Sequence, residues 1–134
     1  MLRAFLGTAA LLAVVAADDW AVIAVGSRGC ENYRHHADAS HAYQVARNGG
    51  IPASRIITLM YDDVPTIYGN PFPGKLFNKP TKKGDAGVDV YSGVKVDYRL
   101  HDVTAEAFLA VLAGNASAVA HMTNSSRRVL QSGP

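Results

Sequence analysis

Two short apolar runs on either side of a helical pattern constrain the fold of this chain most. Trp20–Gly26 is apolar, rich in β-branched residues and closed by glycine, and Arg55–Tyr61 is a second such run that ends at two aspartates. Runs of this length and composition are typical of strands that are buried on both faces of a sheet. Between them, Ala37–Arg47 is rich in helix formers and ends at Asn-Gly-Gly. The order strand, helix, strand predicts a right-handed βαβ unit and therefore an α/β fold with a parallel sheet.

The rest of the chain is less regular. Val64–Val96 contains four prolines and five glycines, which predicts a long surface excursion with at most short strands, such as Val88–Tyr91. Val103–Leu112 predicts a helix that Thr104 can cap, and its expected apolar face consists of Phe108, Leu109, Val111 and Leu112. The tail, Ala116–Pro134, is polar and shows no strand pattern. Sheets of this class usually have about five or six strands, so we expect an incomplete fold from a truncated gene product.

The N-terminus has the three parts of a secretory signal peptide. Arg3 supplies a positive start, Ala4–Ala16 is an uncharged apolar run, and small residues precede Asp18. The apolar run is too short to span a bilayer, and no later segment reaches the roughly 18 apolar residues that a membrane helix needs. We therefore expect residues 1–17 to be removed, and a mature chain in the secretory pathway without a membrane span. Asn115 and Asn124 open Asn-X-Ser sequons and are candidates for glycosylation.

Composition excludes several classes of protein. The chain is 49% hydrophobic and 18% charged, which argues against intrinsic disorder, and a net charge of +2 implies neither nucleic acid nor an anionic membrane as partner. Its single cysteine excludes an intrachain disulfide framework and a multi-cysteine metal site. The spacing of His35, His36 and His41 does not suit a metal site, and neither glycine-rich nucleotide fingerprint is present. We therefore expect no metal and no cofactor.

The densest group of polar residues, 27–38, lies between the first strand and the helix. In parallel α/β sheets, ligands bind at the carboxyl ends of the strands. Arginine can bind a carbonyl or carboxyl group, histidine can transfer protons and asparagine can orient an imidazole, so this segment could form a site. Composition alone equally allows a solvated loop that caps the helix. We expect Cys30 to be a bystander thiol, because a catalytic cysteine and histidine normally converge from distant segments.

Several longer stretches are specific enough to indicate a family. The most specific are W-A-V-I-A-V-G-S-R-G (20–29) and N-Y-R-H-H-A-D-A-S-H-A-Y-Q (32–44), followed by M-Y-D-D (60–63), N-P-F-P-G (70–74) and V-L-Q-S-G-P (129–134). These stretches resemble the N-terminal part of the legumain family of cysteine proteases, the asparaginyl endopeptidases or vacuolar processing enzymes. The resemblance implies a caspase-like α/β/α sandwich with a mostly parallel sheet. Residues 18–134 would be the N-terminal part of its peptidase domain.

The resemblance also implies an activity and roles for three residues. Family members hydrolyse peptide bonds after asparagine, in a lysosome, a vacuole or outside the cell, and cystatin-like proteins are possible inhibitors. Asn32 matches the asparagine that holds the catalytic histidine, whereas Arg34 and His35 match residues of the S1 pocket. The family's catalytic histidine and nucleophilic cysteine lie in Asp-His-Gly and Glu-Ala-Cys segments beyond the S-G-P of this chain. We therefore expect this chain alone to be inactive.

Two alternatives have different chemistry. The catalytic subunit of the GPI-anchor transamidase shares N-Y-R-H and the V-D-Y-R-x-x-x-V-T pattern at 96–104, although H-A-D-A-S-H-A-Y-Q and the terminal S-G-P favour legumain. A non-catalytic product that binds peptides or inhibitors is the other alternative, and Arg34 and His35 motivate it.

Overall fold

A pair of parallel strands with a helical connection forms the centre of the fold. The computed structural model describes residues 19–83 and 87–131, so the predicted leader (1–17) and the S-G-P stretch at 132–134 lie outside the described residues. In chain order, the strands and α-helices are β1 (Ala21–Val25), α1 (Tyr33–Asn48), β2 (Ile56–Met60), α2 (Ala105–Leu112) and α3 (Ala116–Thr123). The α/β class is confirmed.

The two strands pair in parallel, as the sequence predicts. Their register runs from Ala21 opposite Ile56 to Val25 opposite Met60, and each strand lies within one residue of its predicted bounds. The outer edge of β2 is covered, since the Met60 N–H donates to the Tyr98 carbonyl at 3.0 Å. Within the described ranges, no strand pairs with the outer edge of β1, so the sheet is open on that side.

Helix α1 begins at Tyr33, four residues before its predicted start. A short 3-10 helix, Cys30–Asn32, leads directly into it. The buried face of α1 includes two polar residues, His36 and Ser40, and the Ser40 hydroxyl donates to the His36 carbonyl at 2.7 Å. Hydrophobic periodicity does not indicate that a polar residue is buried. For this reason the sequence predicts a loop where α1 has its polar first turn.

The segment between β2 and α2 is more than a surface excursion. Val64, Leu76 and Val90 are buried and pack against Ala37 of α1, which corrects the prediction of a surface segment. The buried Asn70 side-chain amide holds the segment together by donating to three backbone carbonyls, at 3.1–3.3 Å. The strand predicted at 88–91 is reduced to one isolated antiparallel bridge between Phe77 and Asp89.

Helix α2 has the predicted cap and part of the predicted apolar face, since Val111 is buried and Phe108 packs against the core. The Thr104 hydroxyl accepts a hydrogen bond from the Ala107 N–H at 3.0 Å. The buried residues are Ala107, Ala110 and Val111, whereas Leu109 and Leu112, expected in the core, are exposed. The three buried residues belong to the same buried cluster as Ile57 and Leu59 of β2.

The tail contains a helix that the sequence analysis missed. Helix α3 follows the turn at Gly114, and the Asn115 side chain caps it by accepting from the Ala118 N–H at 2.9 Å. Val119 of α3 and Val129 beyond it are buried in the same cluster as Ile57 and Tyr98. The described part of the tail has no strand, as predicted, but it contains a helix and two buried valines that its polar composition did not indicate.

Arg128 connects this tail to the start of β2 by hydrogen bonds. Its guanidinium makes two 2.7 Å bonds to the Asp97 carboxylate and also donates to the carbonyls of Ala53, Ser54 and Ile56. The Tyr98 hydroxyl donates to the Arg128 carbonyl at 2.6 Å. Burial, followed by the nearby Asp97 charge, raises the pKa of Tyr98 to about 12.

Candidate active site

Polar side chains gather where both parallel strands end. Residues 26–29 connect β1 to the 3-10 helix, and Asp62 and Asp63 follow β2 directly. Because the carboxyl ends of parallel strands lie at one edge of the sheet, these two segments face each other there. The Gly29 N–H donates to Asp63 Oδ2 at 2.9 Å and joins them. The polar segment in which the sequence predicts a site is therefore held against the end of β2 by a hydrogen bond.

Gly29 makes the sharp turn between strand and helix. Its φ of +85° lies in the left-handed region, which favours glycine, and its carbonyl accepts the Asn32 N–H at 3.0 Å. This turn starts the 3-10 helix that leads into α1. It places Asn32, Arg34 and His35 within about one helical turn of each other, next to the ends of the strands.

The Asn32 side chain is oriented by one hydrogen bond. Its Nδ2 donates to the Arg28 carbonyl at 2.8 Å. A carbonyl can only accept, so the amide NH₂ must face Arg28, and the amide oxygen Oδ1 points away from that bond. In the part of the chain that the structure describes, no donor bonds to Oδ1, which leaves it able to accept from an imidazole N–H.

Arg34 is exposed and its guanidinium is unpaired within residues 19–83 and 87–131. The neighbouring Arg28, by contrast, lies over the Tyr61 ring at 5.4 Å and donates to the Tyr61 hydroxyl at 3.4 Å. Five N–H donors of Arg34 are thus available to a ligand, whereas those of Arg28 are partly used.

His35 and His36 have different surroundings although they are adjacent. His35 is half-buried, and its Nδ1 lies 2.9 Å from Ser27 Oγ. His36 is fully buried, and its Nε2 lies 3.1 Å from the Ser27 carbonyl and 3.8 Å from Asp63 Oδ1. Adjacent helical residues point about 100° apart, which explains why one ring faces a cleft and the other the interior.

A cleft of about 580 Å³ runs along the open edge of β1 beside α1. It is lined by Ser27, His35 and Asp38 at its polar end and by Ile23, Val25, Ala39 and Ala42 along its apolar wall. The Asp38 carboxylate already accepts from the Asn78 amide at 2.6 Å. The polar end of the cleft therefore coincides with the carboxyl end of β1.

The two aspartates after β2 are both engaged. The side chain of Asp62 is nearly buried and binds the Tyr91 hydroxyl at 2.9 Å and Arg99 Nε at 3.1 Å. Burial, followed by this hydrogen bond to Asp62, raises the pKa of Tyr91 to about 12. Asp62 therefore holds the loop around Tyr91, whereas Asp63 holds the Gly29 turn.

Cys30 lies at the surface in the 3-10 helix, and its thiol is free. None of the hydrogen bonds among the described residues involves its sulfur atom or pairs it with a histidine. The same ranges contain no group of three metal-ligating side chains. None of their helices is both long and apolar enough to cross a membrane.

Three residues of this edge had no role assigned from the sequence: Ser27, His36 and Asp63. Their importance comes from contacts between segments that are 9 to 34 residues apart in the chain. The position of the polar segment after a buried strand was the only sequence signal that pointed to them.

Comparison with known proteins identifies the family. The profile of the Peptidase C13 family matches residues 19–134. The chain is 46% identical to human legumain over 137 residues, which covers 97% of this chain and 30% of that protein. It is 51% identical to mouse legumain, covering 86% of the chain and 25% of that protein. It is 47% identical to the vacuolar-processing enzyme beta-isozyme 1 of Oryza sativa subsp. japonica, covering 86% and 22%.

The chain spans less than a third of the length of these relatives. The resemblance seen in N-Y-R-H and its neighbouring stretches is confirmed, since the matches extend over most of the chain. The chain belongs to the Peptidase C13 family.

Proposed function

We propose that residues 18–134 form the N-terminal part of a cysteine endopeptidase that hydrolyses peptide bonds after asparagine. Membership of the Peptidase C13 family supports a cysteine protease. The observation that supports the specificity is Arg34, an exposed arginine without a partner among the described residues. It is the second residue of α1, which starts at the edge of the sheet where the parallel strands end. The substrate would be a protein or peptide with asparagine at P1, the residue before the cleaved bond.

Arg34 suits the asparagine side chain chemically. The guanidinium is a planar fork of N–H donors, and the side-chain oxygen of asparagine is an acceptor, so the two can form directed hydrogen bonds. Lysine offers a point charge without this planar geometry and would meet the same need less well. His35, on the next position of α1, supplies a second polar group to the same S1 pocket.

Asn32 would hold the catalytic histidine. Its NH₂ group is fixed on the Arg28 carbonyl, so Oδ1 can accept an imidazole N–H and keep that ring in one orientation. We place the general base and the nucleophilic thiolate in segments other than residues 19–131, because Cys30 is exposed and has no histidine partner there. The thiolate would attack the backbone carbonyl carbon of the P1 asparagine, and the imidazolium would give a proton to the leaving amine. Water would then hydrolyse the resulting thioester and release the new carboxyl terminus.

The remaining expectations concern the route of the protein through the cell. Residues 1–17 would direct it into the secretory pathway, towards a lysosome, a vacuole or the exterior. Asn115 and Asn124 are exposed, as glycosylation requires, and the Asn115 cap uses Oδ1 rather than the nitrogen that would carry the glycan. Cystatin-like proteins are candidate inhibitors.

The test uses the complete protein that contains this chain and two peptides that differ only in asparagine or glutamine at one position. We expect cleavage after asparagine, little cleavage after glutamine, and loss of activity on alkylation of thiols. Cleavage that ignores this position would overturn the specificity. Transfer of the peptide to hydroxylamine without hydrolysis would favour the transamidase, and saturable binding without either reaction would favour a binding protein.

A further inference from the structure

The hydroxyl group of Ser27 touches the ring of His35, which links the β1–α1 loop to the proposed S1 pocket. Ser27 Oγ lies 2.9 Å from His35 Nδ1. We propose that Ser27 is a positioning residue, which fixes the His35 ring so that Nε2–H faces the substrate as a hydrogen-bond donor. This inference rests on the proposed function for the role of His35 in S1.

The backbone of Ser27 is held by groups that do not use its hydroxyl. The fully buried His36 lies with Nε2 3.1 Å from the Ser27 carbonyl, and because a carbonyl only accepts, this nitrogen must carry the proton. Two residues further on, the Gly29 N–H is bound to Asp63 Oδ2 at 2.9 Å. The loop is therefore anchored at Ser27 itself and two residues beyond it, and the hydroxyl is presented to His35 from a fixed position.

A serine hydroxyl can donate or accept, and we assign the Ser27 hydroxyl as the donor to Nδ1 of the neutral His35 ring. In a neutral imidazole, one nitrogen donates and the other accepts. With the Ser27 O–H donating to Nδ1, the proton lies on Nε2. In the imidazolium form both nitrogens carry protons, and the hydroxyl can rotate to accept. Both forms present Nε2–H, which suits the side-chain oxygen of a P1 asparagine.

The surroundings of the ring leave Nε2 available. Ser27 and His35 both line the polar end of the cleft along β1. Asp38, the third polar side chain of that lining, is already bonded to Asn78. No hydrogen-bond partner of Nε2 occurs in the described part of the chain. Without the serine hydroxyl, the ring could place its proton on Nδ1 and turn a bare nitrogen towards the substrate oxygen, which would repel it.

The test compares Ser27→Ala with wild type in the complete protein, by nitrogen NMR of the His35 ring and by kinetics on peptides with asparagine at P1. Wild type should show one tautomer, with the proton on Nε2, and Ser27→Ala a mixture. The KM of Ser27→Ala should rise about five- to tenfold, the effect of one net hydrogen bond. Its kcat should change less, because the reacting atoms are untouched. Ser27→Thr, which keeps the hydroxyl, should restore both values, and the exposed Ser92→Ala is the matched control.

Ring signals in Ser27→Ala that match those of wild type would overturn the proposal. Altered ring signals with an unchanged KM would overturn the donation from Nε2 to the substrate. If the wild-type protein does not cleave after asparagine but its His35 ring signals change in Ser27→Ala, the proposed function fails and the positioning by Ser27 stands.

Discussion

At the scale of single residues, the candidate site depends on one turn between β1 and α1. Gly29 adopts φ +85°, whereas Gly26, three residues earlier in the same loop, does not have a positive φ. A Cβ atom added at either glycine would meet no atom within 4 Å. The two positions therefore differ in backbone conformation and not in available space.

Gly29→Ala should destabilise the folded protein, and Gly26→Ala should not. Gly29 has φ +85° and ψ 160°, a region that is essentially restricted to glycine. A side chain held there costs about 1–3 kcal/mol, and the substitution should lower the free energy of unfolding by that amount. Denaturant unfolding of both variants in the complete protein measures the difference. Equal stability of the two variants would show that the turn at Gly29 is not held in this conformation.

Asn32→Ala should lower kcat by about 100-fold, because the catalytic histidine would lose the acceptor that orients it. This factor is the lower end of what general acid–base catalysis contributes. KM should change little, since we assign Asn32 to the catalytic histidine and not to the S1 pocket. Asn48→Ala, at the exposed end of the same helix, is the matched control. The role assigned to Asn32 is wrong if its loss raises KM and leaves kcat unchanged.

The sequence predicts residues of this site unevenly. Asn32, Arg34 and His35 can be assigned from the N-Y-R-H stretch through the family resemblance. Ser27, His36 and Asp63 could not be assigned, because their roles arise only when the ends of β1 and β2 meet. A histidine in a polar segment gives no indication from sequence that its ring is fully buried.

At the scale of secondary-structure elements, the strands were easier to predict than the helices. Apolar runs with β-branched residues locate β1 and β2 within one residue. The start of α1 was missed because its first turn is polar, and α3 was missed because it is short and buries only Val119. Tertiary contacts of His36 and Val119 override the local pattern. The same limit applies to Arg128, whose carbonyl partners lie 72–75 residues earlier.

Arg128→Ala should destabilise the fold far more than Arg127→Ala. Arg128 pairs with the nearly buried Asp97, and removal of one member of a buried pair costs about 3–5 kcal/mol. Arg127 pairs with the partly exposed Asp102, and such a pair contributes at most about 1 kcal/mol. Thermal and denaturant unfolding of the complete protein compares the variants. A smaller loss for Arg128→Ala than for Arg127→Ala would contradict the anchoring of the tail.

The stability of the protein should fall between pH 10 and pH 12 in part because of Tyr98. Its pKa is raised from 10.0 to about 12 in the folded state, so the folded form retains a proton that the unfolded chain releases. Unfolding then releases a proton in this range, and the free energy of unfolding decreases as the pH rises. Denaturant unfolding at both pH values should show a smaller decrease for Tyr98→Phe. The same decrease in both proteins would contradict the raised pKa.

At the scale of the whole molecule, the two edges of the sheet differ, and the candidate site lies beside the open one. Tyr98 covers the outer edge of β2, whereas the edge of β1 within the described residues is unpaired and lines the cleft. The relatives that this chain matches are more than three times longer. Hydrophobic periodicity predicts the parallel α/β core of such a molecule, but it says nothing of which side chains meet at the edge of the sheet.

The most direct test of this account measures cleavage kinetics of the complete protein on the matched asparagine and glutamine peptides, with Arg34→Lys beside Arg28→Lys. Wild type should prefer asparagine. Arg34→Lys should lose most of that preference, by roughly tenfold or more, because lysine cannot reproduce the planar fork. Arg28→Lys should keep it, since Arg28 lies over Tyr61. An Arg34→Lys variant that retains the full preference for asparagine would contradict the account.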